Sequence, residues 1–392
     1  MAGVRPVAAI VAQCQAIFDD LEFGHARRWK EAAPGRRVVA YLPVYVPCEL
    51  IHAAGMLPLG LLGGGESLEV IHGDAYYQSY ICRIPRSTLE LGITGRLKFV
   101  DGFLFPSICD VIRNLSGIWK LTFPGVYVRY FDVPQNFADE VGGRYYQQEL
   151  RELRDGLSKL AGREITDAAL RASIAVYNQH RRLVREVYAL RARAPWLLPT
   201  SEVYLLMRAG MVMPVEEHAL LLREYLEAAQ AEPRPMRDNS RVVLSGVFCE
   251  QPPLSLIKAI ELSGCYVVDD DFMLVNRWLL EDVATEGDPL EALSSAFLHH
   301  SAETASKYQP ELAKKGQYLL DSVRDNGAEG VIFAAPSFCD PALLERPMLE
   351  TRLQKIDVPH IGFKYAENSG QMQPVREQAG TFSDSIKLWS TP

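Results

Sequence analysis

Two stretches of this chain end in the same phrase. Asp101 to Asp110 reads DGFLFPSICD, and Glu329 to Asp340 reads EGVIFAAPSFCD. Each has an acid, a glycine and a short apolar run, then Pro-Ser-x-Cys-Asp. The pattern predicts a buried strand that stops at a turn and delivers a cysteine, Cys109 or Cys339. Cys82 lies among aromatic and basic residues in YYQSYICRIPR, where Arg83 and Arg86 would favour a thiolate and hold an anionic group. Thiolates that converge in space bind zinc or an iron–sulfur cluster. The plain alternative for each is a small buried hydrophobe. Cys48 follows the apolar run VVAYLPVY with Glu49 beside it, and Cys249-Glu250 follows RVVLSGVF in the same way. Both pairs fall at predicted strand-to-helix corners, where open α/β sheets bind their ligands.

The chain has seven cysteines, an odd number, with no CxxC pair. Together with its length and the early polar residues of its N-terminus, this argues against a disulfide framework and a secretory leader. Zinc-knuckle spacing is missing, which tilts the choice toward a cluster. A cubane held by three cysteines leaves one iron open, and Cys48 and Glu49 are the candidates for its fourth ligand. Asp269-Asp270-Asp271 reads as a strand-end turn and helix cap rather than a Mg²⁺ site. Gly63-Gly64-Gly65 reads as a flexible turn, and His299-His300 as a surface or interface pair. No GxxxxGK[ST], GxSxG or HExxH occurs, so any nucleotide energy must come from another chain.

The elements that would position these residues alternate as strands and helices. Residues 5–32 read as helical. Strands are predicted at 38–45, in the first part of 59–70, and at 99–105 and 126–133. A charged, largely helical stretch covers 149–231, with Thr166-Asp167 as a helix start and His180-Arg181-Arg182 on a solvated face. EPRPMRDNS, residues 232–240, is the best linker. The pattern then restarts with strands at 241–248, 265–268, 331–335 and 360–364. Helices are predicted at 272–283, 288–306, 309–326 and 341–356, and a last one closes the chain. The expected fold is therefore α/β: two related, doubly wound, mostly parallel-sheet domains with a helical insertion and a metal or redox centre in the cleft. The expected segments are an N-terminal helical piece (1–36), a first α/β domain (37–148), a helical region and linker (149–239) and a second α/β domain (240–392).

The totals agree. At 392 residues, 48% hydrophobic, the chain can bury more than one core. A net charge of -8 argues against nucleic acid as the main partner, and no apolar run is long enough to cross a membrane. A soluble, cytoplasmic protein is expected.

The motifs also carry a resemblance. Tyr45 with Pro47, Glu49 and Leu50, then Ala54-Gly55 and Pro58, resembles the opening signature of the 2-hydroxyacyl-CoA dehydratase D-component family, which includes the core subunits of benzoyl-CoA reductase. Cys82 followed by Arg83 and Arg86, Cys109-Asp110, and Cys339-Asp340-Pro341 with Glu345-Arg346-Pro347 resemble its three cluster-cysteine motifs. Gly370-Gln371 and Arg376 resemble its C-terminal block. Within the family, the segments 48–65 and 82–119 are most similar to the smaller core subunits of the reductases.

The resemblance implies a [4Fe-4S] cluster held by Cys82, Cys109 and Cys339. It also implies a larger homologous core subunit as partner, with an acyl-CoA between the two. Two further subunits would hydrolyse ATP and pass on electrons from reduced ferredoxin. The implied activity is single-electron dearomatisation of benzoyl-CoA to a cyclic dienoyl-CoA. The alternatives are a 2-hydroxyacyl-CoA dehydratase subunit and a non-catalytic electron-relay partner. Cys48 departs from the pattern by standing beside the family's glutamate.

Overall fold

The computed structural model describes residues 5–42, 44–246, 252–272, 274–309, 311, 314–365 and 372–389. Among them are two four-stranded sheets. The first holds β1 (Val38–Tyr41), β2 (Leu57–Gly60), β3 (Gly102–Pro106) and β4 (Tyr127–Phe131) in the order β2-β1-β3-β4. The second holds β5 (Ser240–Ser245), β6 (Cys265–Asp270), β7 (Gly330–Pro336) and β8 (His360–Tyr365) in the order β6-β5-β7-β8. All six strand pairs are parallel. The two halves thus share one strand order, as the repeated phrase anticipates.

The apolar runs follow from this topology. β1, β3 and β7 lie inside their sheets with every residue buried, so they read as continuous apolar segments. β4 and β8 are edge strands, and most of their residues are only half-buried. In each sheet the order reverses between the two central strands, β1/β3 and β5/β7, and ligands sit at the carboxyl ends of such switch points. Cys109 and Cys339 follow β3 and β7.

Four helices, Arg144–Ala161, Asp167–Arg193, Thr200–Ala209 and Val215–Ala231, separate the sheets. Thr166 caps the second of them, its hydroxyl accepting from the Ala169 N–H at 3.2 Å. The expectation of a wholly solvated charged face on this helix is corrected. Arg182 and Arg185 are exposed and share Asp282, but His180, Arg181 and Arg191 are buried.

Two further expectations change. Residues 272–283 form only a short 3-10 turn, Leu274–Asn276. The Leu280 N–H donates to the His300 carbonyl and the Ala302 N–H to that of Trp278, so this backbone pairs with residues 300–302 instead of coiling. The acidic triplet is more than a turn and cap. Asp269 pairs with Arg277 at 2.8 Å, and Asp270, at the end of β6, meets Arg191 at 2.6 Å with both side chains fully buried. Asp271 does lie in the turn, accepting from the Gly246 N–H at 2.8 Å.

Packing cuts across the expected segments. Val7, Ile10 and Cys14 of the helix Val7–Asp19 enter the core under the second sheet, against Leu206 and Leu222. Trp278, Leu293 and Phe297, from the second half, enter the core of the first. Among the described residues no helix is long and apolar enough to cross a membrane.

Candidate functional site

Three cysteines take the same local role. Cys82 is the N-cap of the helix Arg83–Ile93, Cys109 of Asp110–Thr122, and Cys339 of Asp340–Gln354. The first turn of a helix leaves N–H groups without intrahelical partners and carries a partial positive charge. Both effects lower the cost of a thiolate at that position. All three side chains line one cavity of about 590 Å³, at the carboxyl ends of the two sheets.

The repeated Pro-Ser turn anchors two of the three corners by the same backbone bond. The Ser107 N–H donates to the carbonyl of Phe131, the last residue of β4, at 2.9 Å. The Ser337 N–H donates to that of Tyr365, the last residue of β8, at 2.7 Å. Phe338 then adopts φ +76, a left-handed conformation that strains a bulky residue directly before Cys339.

Burial pushes the Cys109 thiol up; the N–H groups of Ile112 and Val111 oppose this, while Cys339 and Asp110 add to the rise. Cys339 thus lies near enough to Cys109 to act on its charge. The Tyr77 hydroxyl is buried with no hydrogen-bond partner among the described residues. Burial pushes it up as well, and the charges of Cys82 and Cys109 add to that. An orphaned O–H beside two thiols is a ready donor to sulfur. No group of three His, Cys, Asp or Glu among the described residues converges on a single-ion site. A cubane asks for a different spacing, because each thiolate binds its own iron. What the three cysteines share is one cavity and sulfur donors, the ligand type that iron–sulfur clusters take.

Arg83 and Arg86 follow Cys82 on the helix it caps. Arg83 donates to the Leu68 carbonyl, and Arg86 pairs with Asp74 at 2.9 Å.

The structure does not bring the two fourth-ligand candidates to this cavity. Cys48 and Glu49 line a separate space of about 60 Å³ with Tyr41, His180, Arg181 and Trp278. Glu49 accepts from Arg181 at 2.6 Å, and Arg181 also holds Asn178 at 2.7 Å. Burial pushes the Cys48 thiol far up, Glu49 adds to that, and Tyr41 opposes it. Cys249-Glu250 and Gly370-Gln371 lie outside the described residues. Cys14 and Cys265 are buried in hydrophobic cores, and burial pushes both thiols up to about 12. His299 is exposed and His300 half-buried, and they pair with Asp139 and Glu281.

Two lysines that sequence reasoning passed over also line the cysteine cavity. Lys315 pairs with Glu345 at 2.5 Å and lies 3.8 Å from Glu303. Lys307 donates to the hydroxyl and carbonyl oxygens of Ser301 at 2.7 and 3.2 Å. Glu345 stands in a quoted motif and could have been found; neither lysine carries a signal in the sequence.

Known proteins are similar to this chain. The chain is 68% identical to a benzoyl-CoA reductase polypeptide of Thauera aromatica, one of that enzyme's subunits, over 98% of this chain and 99% of that one. It is 30% identical to the beta subunit of (R)-2-hydroxyglutaryl-CoA dehydratase from Acidaminococcus fermentans, over 91% of this chain and 94% of that one. It is 26% identical to the beta subunit of (R)-phenyllactyl-CoA dehydratase from Clostridium sporogenes, over 90% of this chain and 92% of that one. Residues 43–386 match the profile of the 2-hydroxyglutaryl-CoA dehydratase D-component family. With that match across most of its length, and a relative so alike from end to end, the chain belongs to the 2-hydroxyglutaryl-CoA dehydratase D-component family.

Proposed function

We propose that this chain is a core subunit of an ATP-dependent benzoyl-CoA reductase. The observation that carries the reading is the 68% identity to a benzoyl-CoA reductase subunit, sustained over 98% of the chain. The cavity supports it: three N-cap cysteines line one space large enough for a cluster and part of a substrate. Cys82, Cys109 and Cys339 would hold a [4Fe-4S] cluster, and the group supplies single electrons when bound.

The protein's own contribution is placement and environment. The helix N-termini offset the negative charge of thiolates and sulfides, and Tyr77 offers them an O–H. Tyr80, Tyr308, Phe338, Leu344 and Met348 give the cavity an aromatic and apolar wall suited to an aryl thioester. Tyr80, Tyr308, Phe338 and Leu344 are about half exposed or more, at 62%, 61%, 49% and 77%, a surface that a larger homologous core subunit would cover. The sequence has no phosphate loop, so two further subunits would hydrolyse ATP and relay electrons from reduced ferredoxin, all in the cytoplasm.

The test is anaerobic purification with the neighbouring subunits, iron and sulfide analysis, and product assays. The expected result is reduction of benzoyl-CoA to a cyclic dienoyl-CoA with ATP hydrolysis. The 30% identity to a dehydratase beta subunit supports a second reading, in which the electron is returned and no net reduction occurs. A complex that dehydrates 2-hydroxyacyl-CoA and leaves benzoyl-CoA untouched establishes that second reading and overturns the first.

A further inference from the structure

Dearomatising a ring takes protons as well as electrons. Each turnover consumes two electrons and two protons, and a thiolate-bound cluster supplies no proton. The cysteine cavity must therefore contain, or admit, an acid.

Two ammonium groups line it, and they are held differently. Lys315 stands in an ion pair with Glu345 at 2.5 Å, with Glu303 at 3.8 Å, and its Nζ donates to the Lys307 carbonyl at 3.4 Å. Lys307 has no carboxylate within ion-pair distance among the described residues. Its Nζ donates to the Ser301 hydroxyl at 2.7 Å and carbonyl at 3.2 Å. It also faces the rings of Phe137 and Phe297, 4.7 and 5.8 Å from their centroids. Two of its N–H bonds are thus occupied by neutral acceptors, aromatic faces close the back, and one N–H remains for the cavity.

We propose that Lys307 is the proton donor to the reduced substrate ring in the three-cysteine cavity. The proposal rests on the benzoyl-CoA reductase reading above. The step balances as follows. One electron from the low-potential donor enters the aryl thioester and gives a radical anion. An Nζ–H bond of Lys307 breaks, its electron pair stays on Nζ as a neutral amine, and a C–H bond forms on the ring. The resulting radical takes the second electron, and the carbanion so formed takes the second proton from Lys307 once the amine has been reprotonated, which forms the second C–H bond and completes the cyclic diene. Lys307 regains its proton from solvent at the open mouth of the cavity.

The acidity suits the task. Burial lowers the Lys307 ammonium to about 8, against a smaller opposing pull from Glu303. An ordinary lysine, near 10.4, holds its proton too tightly for efficient transfer near neutral pH. Other groups facing the cavity also carry charge. Glu345 and Asp340 come from the helix Asp340–Gln354, and Asp110 from Asp110–Thr122. Tyr80, Tyr308 and the thiols of Cys82, Cys109 and Cys339 complete the titratable wall. Glu345 is neutralised by Lys315, which leaves Lys307 as the cationic acid available to the ring.

Lys307→Arg keeps the charge and removes the acid, while Lys307→Met removes both. In the anaerobic complex both substitutions are expected to lower kcat by about 10²–10⁴-fold, with KM, iron content and the spectrum of the loaded protein unchanged. Lys307→Ala is expected to regain activity with added small alkylamines. An Lys307→Arg variant with wild-type kcat overturns the proposal, since charge alone would then suffice. A readout free of turnover is ¹³C reductive methylation of the full chain. The resonance missing in Lys307→Arg should titrate near the value of about 8 that burial imposes. A midpoint of about 10 overturns the proposal. A wild-type complex that leaves benzoyl-CoA unreduced overturns the functional reading instead. An active wild type with an active Lys307→Arg overturns only the role of Lys307.

Discussion

Replacing Glu49 or Arg181 separates a ligand from a structural ion pair. The two charges meet at 2.6 Å with side-chain exposures of 2% and 7%. Arg181 also donates to Asn178, whose side chain accepts from the Val283 N–H at 2.9 Å and donates to the Val283 carbonyl at 2.8 Å. Glu49→Leu leaves the guanidinium buried with only Asn178 to answer it, and Arg181→Met leaves a bare carboxylate. Breaking such a buried pair costs about 3–5 kcal/mol. A chain of ordinary stability holds only about 5–15 kcal/mol in reserve. The double variant buries neither charge, and its two apolar side chains refill the space, so it should fall within about 2 kcal/mol of wild type. The coupling between the two sites is then several kcal/mol. Urea unfolding followed by circular dichroism reads all four proteins. Iron content should stay constant, because the pair lines a different cavity from the three cysteines. Single-variant midpoints equal to wild type would refute the reasoning. So would a Glu49→Leu protein that keeps its stability and loses its iron, because Glu49 would then be a cluster ligand.

Other outcomes are expected from the same geometry. Cys82→Ser, Cys109→Ser and Cys339→Ser should each strip most of the iron, whereas Cys14→Ser and Cys265→Ser should retain it, by iron and sulfide analysis after anaerobic purification. Tyr77→Phe should shift the reduction potential of the loaded protein negative with iron unchanged, because the lost O–H no longer stabilises the more negative reduced state; redox titration checks this. Glu90 accepts from the N–H groups of Ile71 and Gly73 and meets the His72 ring. Burial pulls its carboxyl up, but these partners outweigh it and hold it below the usual range. A carboxyl depressed by folding contributes stability above its unfolded pKa and loses it as pH falls through the folded value. Wild type should therefore lose stability relative to Glu90→Gln as pH drops below about 4.3, read as thermal midpoints across an acid series.

The strands that carry the cysteines were legible because parallel sheets bury both faces, so FLF and VIFAA stand out against polar flanks. The Thr166 cap was legible because a single hydroxyl and its target lie three residues apart. What could not be read is what depends on distant partners. Arg181 looks like one more surface charge until Glu49 reaches it from 132 residues away. Asp270 looks like a turn residue until Arg191, 79 residues upstream, is placed against it. The segment LVNRWLL has helical spacing, yet after one 3-10 turn its Trp278 carbonyl and Leu280 N–H are taken by the chain near His300. Lys307 carries no pattern at all; what distinguishes it from Lys315 is a property of the assembled cavity, neutral and aromatic neighbours with no carboxylate in ion-pair distance among the described residues.

The exchange of packing elements between the two cores sets a timetable for synthesis. Trp278, Leu293 and Phe297 complete the interior around the first sheet, and Tyr45 bonds Thr304 at 2.7 Å. The first half leaves the ribosome well before these residues do, so it emerges with an open apolar face and waits for them. The second core in turn needs Val7, Ile10 and Cys14 from the other end of the chain. Neither half is then a self-sufficient folding unit. Expressed alone, residues 37–239 and 240–392 should aggregate, whereas co-expressed pieces cut in the linker should find each other and reassemble.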